Sequence, residues 1–369
     1  DRKIVVISPG QERVVSYAQD QFDQVDFAVQ HDPQGTADAV KATRDVLSDA
    51  RGTVLIAFGD VHFVSSGTFK KMHQGIEAGA DIVVLGFHAE DPSGYGRLVL
   101  DAGGRLERIV EHKDASQTER ALQLCNGGAM AVRATHLFDL LDRVTCDNAA
   151  GEYYLPDLVS LGNAAGLTCD VVVGQEAEVL GVNSRVDLAV AENIMQDALR
   201  TAAMENGATL LDPQSVYFSA DTKLDRDVVV GQNGVFGPGV SIGEGTTIKP
   251  FSHLEGAQVR ERADIGPYAR LRPGTQIGVG ARIGNFVETN KAIVEDGAKV
   301  NHLSYIGDAR VGEKANIGAG TITCNYDGFN KFHTDIGAGA FVGSNSSLVA
   351  PVKIGDGAYV GSGSVVTKD

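Results

Sequence analysis

The stretch DIGAGAFVGSNSSLVAPVKIGDGAYVGSGSVV, residues 335–366, decides the fold of the second part of the chain. Ile336, Val342, Leu348, Ile354, Val360 and Val366 recur six residues apart, most of them followed by a glycine or another small residue. A six-residue period predicts a parallel β-helix: each hexapeptide forms one short flat face, its aliphatic residue points inward, and the small residues let the chain turn. The same step links Ile242, Ile248 and Leu254; Ile265, Leu271, Ile277 and Ile283; and Val294, Val300 and Ile306. The repeat therefore extends from about Leu211 to the end. It breaks between Ile283 and Val294, slips by one residue at Val311, and is interrupted by CNYDGFNKFHT (324–334), which reads as a loop thrown out from a coil. Insertions in a solenoid are where function collects.

Ahead of the repeat the pattern differs. Short aliphatic runs, KIVVIS (3–8), TVLIAF (53–58) and DIVVLGF (81–87), alternate with helix-like stretches such as TADAVKATRDVLSDA (36–50) and GTFKKMHQGIEAG (67–79). This alternation predicts βαβ units and an α/β domain with a mainly parallel sheet, whose ligands sit beyond the carboxyl ends of the strands. Residues 184–207 read as one connecting helix, with Ser184 and Asp187 as a capping box, Gly207 as the stop, and Leu188, Met195 and Leu199 on one face beside Val190 and Ile194. The predicted division is residues 1–185, an α/β domain; 186–210, a connecting helix and linker; and 211–369, the β-helix.

Lysine and arginine number 32 against 48 acidic residues, a formal net charge of -16. That balance argues against a salt-dependent grip on nucleic acid or an anionic membrane, so any phosphate must be met by a few placed cations and backbone N–H groups. Cys125, Cys146, Cys169 and Cys324 form no CxxC pair, which suits free thiols in a reducing, cytoplasmic setting. No run reaches the length of a membrane span, and DRKIVVISPG (1–10) reads as a strand and turn, not a signal peptide, so the chain reads as beginning inside a fold.

Several segments could carry chemistry. In AFGDVHF (57–63), Asp60 follows a buried strand, where an acidic residue commonly holds a divalent metal beside a nucleotide phosphate; an aspartate capping a turn would look the same. QHDPQGTADA (30–39) is a Gly-Thr loop before a helix, suited to phosphate or base contacts or to a plain loop-helix junction. SGYGRL (93–98), VEHKDAS (110–116) and CNGG (125–128) are polar segments of unspecific spacing. In the repeat, YARLRPG (268–274) offers Arg270 and Arg272, FVETNK (286–291) offers Glu288 and Lys291, and KVNHLSYIGD (299–308) adds His302 and Tyr305. Stacked coils can bring these together: an arginine pair suits a sugar phosphate, and a histidine beside a carboxylate suits proton abstraction near neutral pH. His302 alone would read as one rung of a surface polar ladder.

With these residues assembled, the chain resembles the bacterial bifunctional N-acetylglucosamine-1-phosphate uridyltransferase / glucosamine-1-phosphate acetyltransferase family along essentially its whole length. The segments that carry the resemblance are GEYYLPD (151–157), VLGVNSR (179–185), RLRPG (270–274), NHLSYIGDA (301–309) and NIGAGTITCNYDGFNK (316–331). It implies a Rossmann-like nucleotidyltransferase domain followed by a left-handed β-helix. The implied reactions are acetyl transfer from acetyl-CoA to glucosamine-1-phosphate, then uridylyl transfer from UTP to give UDP-N-acetylglucosamine and pyrophosphate, feeding peptidoglycan and lipopolysaccharide synthesis. It further implies a cytoplasmic homotrimer with acetyl-transfer sites between neighbouring β-helices.

Residue by residue, the resemblance makes His302 the acetyl-transfer base, with Arg272 and Tyr305 on the sugar phosphate, Asn316 on the sugar, and Asn325 and Tyr326 in the loop that meets the acetyl donor. Ala319, Ser344 and Ser362 match coenzyme A contacts, while Glu288 and Lys291 join the acceptor site from the cluster above. For uridylyl transfer the matching positions are Gln30, Gly35, Thr36, Phe58, Gly59, Asp60, Gly96, Glu111, Asn126 and Asn183, with Asp60 and Asn183 as Mg²⁺ ligands. The chain departs from the family in several places, among them VHFV (61–64) after Asp60 and several positions of QHDPQGTADA (30–39). The family's glycine-rich nucleotide loop falls ahead of Asp1, so uridylyl transfer by these residues alone is expected to be impaired, and the family's basic C-terminal tail falls beyond Asp369. Gly127 stands where the family has threonine or serine. Asn290 stands where it presents a sugar-phosphate lysine, and Lys291 comes one residue late, which in a strand means the other face. Three other readings compete: an acetyltransferase only, a sugar-1-phosphate nucleotidyltransferase whose β-helix is purely structural, and a non-catalytic trimeric scaffold. Release of coenzyme A would discard the scaffold reading.

Overall fold

The computed structural model describes residues 2–369, which divide into two compact units with the boundary between Leu188 and Ala189. In the first, β1 (Ile4–Ile7) pairs in parallel with β2 (Asp26–Val29) across α1 (Glu12–Gln21). After α2 (Thr36–Lys41) come β3 (Thr53–Ile56), α3 (Ser66–Glu77), β4 (Ile82–His88), β5 (Arg97–Leu100), β6 (Leu106–Val110), α4 (Gln117–Arg120), β7 (Leu124–Arg133), α5 (Ala134–Leu141), α6 (Asp157–Ala164) and β8 (Cys169–Val173).

The second sheet corrects the expectation of mainly parallel pairing. Its order is β6-β5-β7-β4-β8 with β3 also on β7, and only β4 and β8 pair in parallel. The cause is β7: its ten residues enter between strands that share a direction, so it runs antiparallel to β3, β4 and β5. Strand β4 has its first six residues fully buried, as a centre strand covered on both faces must be. Met72 and Ile76 of α3 pack on Val83, Leu85 and Phe87; Leu137, Leu140 and Leu158 pack with Ile82 and Val84 on the opposite side.

The helix α7 (Arg185–Glu205) starts at a capping box, Asp187 N–H to Ser184 Oγ at 3.1 Å and Ser184 N–H to Asp187 Oδ2 at 2.8 Å, as the sequence predicts. Of the expected aliphatic face only Leu199 packs against the β-helix core, partly buried, and the fully buried positions are others. Leu188, Val190 and Met195 are exposed, and Ala191, Gln196 and Arg200 are buried. The surface beneath explains this. Tyr217–Phe218 is the edge strand of the first coil, with unpaired backbone groups that an aliphatic face could not satisfy. The Gln196 amide donates to Phe218 O (2.7 Å) and accepts from Phe218 N (2.9 Å), as a neighbouring strand would, and Arg200 Nε donates to Val216 O (2.8 Å).

Residues 209–366 coil into short parallel strands, most pairing with the strand 17 or 18 residues on, as Arg282 with Lys299, Thr247 with Asp264 and Val235 with His253, while coils that span the 324–334 loop pair across a longer step, as Asn316 with Phe341. Ile242, Ile248, Leu254, Ile265, Leu271, Ile277, Ile283, Val294, Val300 and Ile306 all point inward and are at most 2 % exposed. Each such side chain contributes about 1.5–3 kcal/mol by leaving water. The gap in the aliphatic period between Ile283 and Val294 is filled by Thr289, fully buried, whose hydroxyl lies 3.0 Å from that of buried Thr275. Two seven-residue strands, Glu288–Val294 and Tyr305–Val311, run around a corner with Lys291 and Asp308 in left-handed backbone and fuse two faces of the helix into one sheet.

Candidate active sites

In the α/β unit, Gln30 follows β2 and its Nε2 donates to Gly35 O (3.3 Å) and Asp38 Oδ2 (2.7 Å), which ties the 30–38 loop to α2. Gly35 has φ +128°, and a Cβ there would lie 2.5 Å from Tyr153 O, so the position requires glycine. Tyr153 N–H donates to Gln34 O (2.8 Å), Ala37 N–H to Tyr153 O (2.9 Å) and Leu155 N–H to Thr36 Oγ1 (3.0 Å). The GEYYLPD segment is thus docked against the Gly-Thr loop.

Beyond β3, Phe58 lies under Gly128, 3.0 Å from where a Cβ would stand. Asp60 O accepts from Val182 N (3.0 Å), and Val61 bridges Gly181. This brings Asp60 and Asn183 to the same spot: a Cβ on Gly181 would be 3.3 Å from the Asn183 amide and 3.9 Å from Asp60 Oδ2. No group of three or more histidine, cysteine or acidic side chains converges among the described residues. One carboxylate and one amide oxygen fit an ion that takes its other ligands from phosphate and water, as Mg²⁺ does.

The third cluster is Gly96, Glu111 and Asn126. A Cβ on Gly96 would sit 3.1 Å from Glu111 Oε1, and Asn126 N–H donates to Gly96 O (2.8 Å). Burial, then the charges of Asp114 and Asp157, push the Glu111 carboxyl above its ordinary value. Gly127 is enforced by packing: a Cβ would come within 2.7 Å of Val179 and 2.9 Å of Leu85.

In the β-helix the register sorts the candidates into columns. Asn285 pairs with His302. The pairings Lys299 with Asn316, Asn316 with Phe341 and Phe341 with Tyr359, carried three residues on, stack His302, Ala319, Ser344 and Ser362 in one line. The coils there are tight: a Cβ on Gly318 would lie 2.5 Å from Ser344 N. Next to this column runs that of Arg282, Lys299 and Asn316.

His302 closes one face, and Leu303, at φ +50°, turns the corner. On the next face Arg270, Glu288 and Tyr305 stack in register, and Arg272 Nη1 donates to Glu288 Oε1 (2.9 Å). The expected histidine-carboxylate pair is therefore not formed. Glu288 lies across the corner, held by Arg272, and the partner of His302 is an amide: Nδ1 donates to Asn285 Oδ1 at 2.7 Å. With Nδ1 protonated, Nε2 is left as the acceptor. Asn290 is buried opposite Gly307, while Lys291 stands exposed at the far corner, in the column that continues to Asp308 and Asn325. Asn325 Nδ2 donates to Asp308 Oδ2 (2.5 Å), and the loop beyond closes as a hairpin in which Tyr326 bridges Lys331, Tyr326 Oη donates to Gly328 O (2.5 Å) and Asp327 accepts from Phe329 N and Asn330 N (2.8 and 2.6 Å).

Residues 2–129 match the Nucleotidyl transferase family, and residues 333–368 match Bacterial transferase hexapeptide (six repeats). The bifunctional protein GlmU of Parvibaculum lavamentivorans is 62 % identical over 369 residues, spanning all of this chain and 81 % of that protein. Those of Paramagnetospirillum magneticum and Zymomonas mobilis are 53 % and 47 % identical, again across the whole chain and 82 % of each relative. The chain belongs to the GlmU family. It is a multifunctional transferase, with a nucleotidyltransferase unit followed by a left-handed hexapeptide β-helix of the acyltransferase type.

Two residues that position the GlmU candidates escaped sequence reasoning. Asn285 has no motif of its own, although a 17-residue coil spacing counted back from His302 points to it. Tyr153, whose backbone holds the Gly-Thr loop, lies 118 residues from Gly35, and nothing in the intervening sequence links them.

Proposed function

We propose that the β-helix transfers the acetyl group of acetyl-CoA to the amine of glucosamine-1-phosphate, and that the α/β unit then joins the product to the uridylyl group of UTP, releasing pyrophosphate and UDP-N-acetylglucosamine. The observation that carries the first step is His302 held by Asn285 in the same column as Ala319, Ser344 and Ser362. The acceptor's ammonium must lose a proton before it can attack. His302 Nε2 takes that proton, the amine adds to the thioester carbonyl and its nitrogen gives up a second proton to solvent, a backbone N–H supports the oxyanion, and collapse expels coenzyme A thiolate, which is reprotonated by the imidazolium. Arg272, Tyr305 and Lys291 serve the sugar phosphate, with Glu288 holding Arg272, Asn316 serves the sugar, and Asn325 and Tyr326 meet the acetyl donor.

For the second step, Gln30, Gly35, Thr36, Gly96, Glu111 and Asn126 hold the nucleotide and sugar, with Phe58 and Gly59 shaping the floor. Asp60 and Asn183 would hold Mg²⁺, which would neutralise triphosphate charge.

The base and the sugar-phosphate groups lie on opposite sides of the Leu303 corner; a homotrimer, which the family resemblance implies, would place acetyl-transfer sites between neighbouring β-helices. Among the described residues no helix is long and apolar enough to cross a membrane; the four cysteines are free thiols, as a reducing, cytoplasmic setting would keep them. Coenzyme A release from acetyl-CoA and glucosamine-1-phosphate tests the reading. Release that His302→Ala abolishes with the fold intact supports it; release that survives the substitution excludes His302 as the base.

A further inference from the structure

Glu178 belongs to neither the nucleotide nor the sugar candidates, yet its carboxylate joins the two segments that carry Asp60 and Asn183. Oε1 accepts from Ser65 N (3.0 Å) and Thr68 Oγ1 (2.7 Å), at the start of α3. Oε2 accepts from Gln175 N (3.2 Å) and closes the short turn Glu176–Val179 on itself. Ser65 follows Asp60 by five residues, and Glu178 precedes Asn183 by five. Between these points the segments already touch, through the Val61–Gly181 bridge and the Val182 N to Asp60 O bond. The two loops are thus fastened at both ends, by backbone beside the donors and by Glu178 behind them. The anchor is firm: Val179 is buried with Leu85 in the core, and a Cβ on Gly174 would fall 2.9 Å from Glu178 Oε2, so the glycine leaves room for the carboxylate.

We infer that Glu178 is a positioning residue for the metal of uridylyl transfer, fixing Asp60 and Asn183 relative to each other without touching the ion. The inference rests on the reading of those two residues as metal ligands. Groups behind metal ligands change affinity by about 10–100-fold when removed. The carboxylate's two oxygens have separate tasks, which gives graded variants. Glu178→Ala removes both; Glu178→Gln keeps one oxygen for Ser65 and Thr68; Thr68→Val removes the 2.7 Å bond and the 3.1 Å contact that the same hydroxyl accepts from Ser65 Oγ, and leaves the carboxylate's other bonds in place.

The experiment is an Mn²⁺ titration of the full chain at saturating UDP-N-acetylglucosamine, read by the electron paramagnetic resonance of free ion, with thermal unfolding of the same samples. The expected result is an Mn²⁺ affinity about tenfold or more weaker in Glu178→Ala, and a smaller loss in Glu178→Gln, at an unfolding midpoint close to the parent's. Asp60→Ala serves as the reference. If Asp60→Ala weakens binding and Glu178→Ala does not, the positioning role is overturned. If Asp60→Ala itself leaves affinity unchanged, the metal reading fails first. Should Glu178→Ala lose the first unit's unfolding transition, Thr68→Val decides: unchanged affinity overturns the role, and a severalfold loss supports it.

Discussion

Asn285 sits one coil below His302, and its side-chain oxygen accepts the ring's Nδ1 proton at 2.7 Å. A neutral amide in this place fixes the tautomer without adding charge, so the ring is oriented as a base by hydrogen bonding alone. Asn285→Ala should lower kcat for acetyl transfer by about tenfold, with KM for glucosamine-1-phosphate little changed. His302→Ala should cost about 10²–10⁴-fold, the range for a lost general base. Steady-state coenzyme A release measures both, and an Asn285→Ala enzyme of full kcat would remove the amide from the mechanism.

Asn285→Asp provides a second comparison at the same position. An aspartate should draw the imidazole toward its protonated form and move the acidic limb of the kcat/KM profile to higher pH, because an adjacent anion favours imidazolium. Superimposable profiles for the two proteins would contradict the contact.

Gly35 is held at φ +128° with Tyr153 O where a Cβ would be. Gly35→Ala forces strain of about 1–3 kcal/mol and pushes GEYYLPD off the Gly-Thr loop. UDP-N-acetylglucosamine binding, followed by calorimetry, should weaken while acetyl transfer by the other unit is retained. Unaltered binding would show that the loop's closure on Tyr153 is not part of the nucleotide site.

The Glu111 carboxyl is raised by burial and by Asp114 and Asp157. A carboxyl whose folded pKa exceeds its unfolded value binds its proton more tightly in the fold, so the stability it confers is full at low pH and is lost as pH rises through the raised value. Glu111→Gln should therefore raise the unfolding midpoint of the α/β unit at pH 8 more than at pH 5. Asp157, raised by burial and Asp114, leaves some slope behind. Equal shifts at both pH values would refute the linkage.

Thr275 and Thr289 share a hydrogen bond in the dry interior of the β-helix. Thr289→Val strands the Thr275 hydroxyl and should cost about 1–3 kcal/mol, whereas replacing both by valine should be nearly neutral. Chemical unfolding of the two single variants and the double variant closes the cycle, and additive losses would deny the coupling.

The hexapeptide period determined the β-helix from sequence alone, because each inward aliphatic residue is placed by local geometry that repeats every six residues, and the motifs carried the family and the candidate chemistry. Tertiary structure decided what period and motif cannot encode. The antiparallel insertion of β7 into the α/β sheet depends on which strands share neighbours, and the buried polar stripe of α7 depends on the unpaired edge of Tyr217–Phe218 beneath it. Thr289 reads as a break in the aliphatic pattern, yet it keeps the coil intact because a second threonine lies within hydrogen-bonding distance. His302 was visible as a candidate base, but its partner was not: Asn285 lies one coil back on the same face and comes into contact, whereas Glu288 lies on the next face, beyond the corner that Leu303 turns. Contacts made across coils or between loops are set by register and burial, and a linear pattern records neither directly.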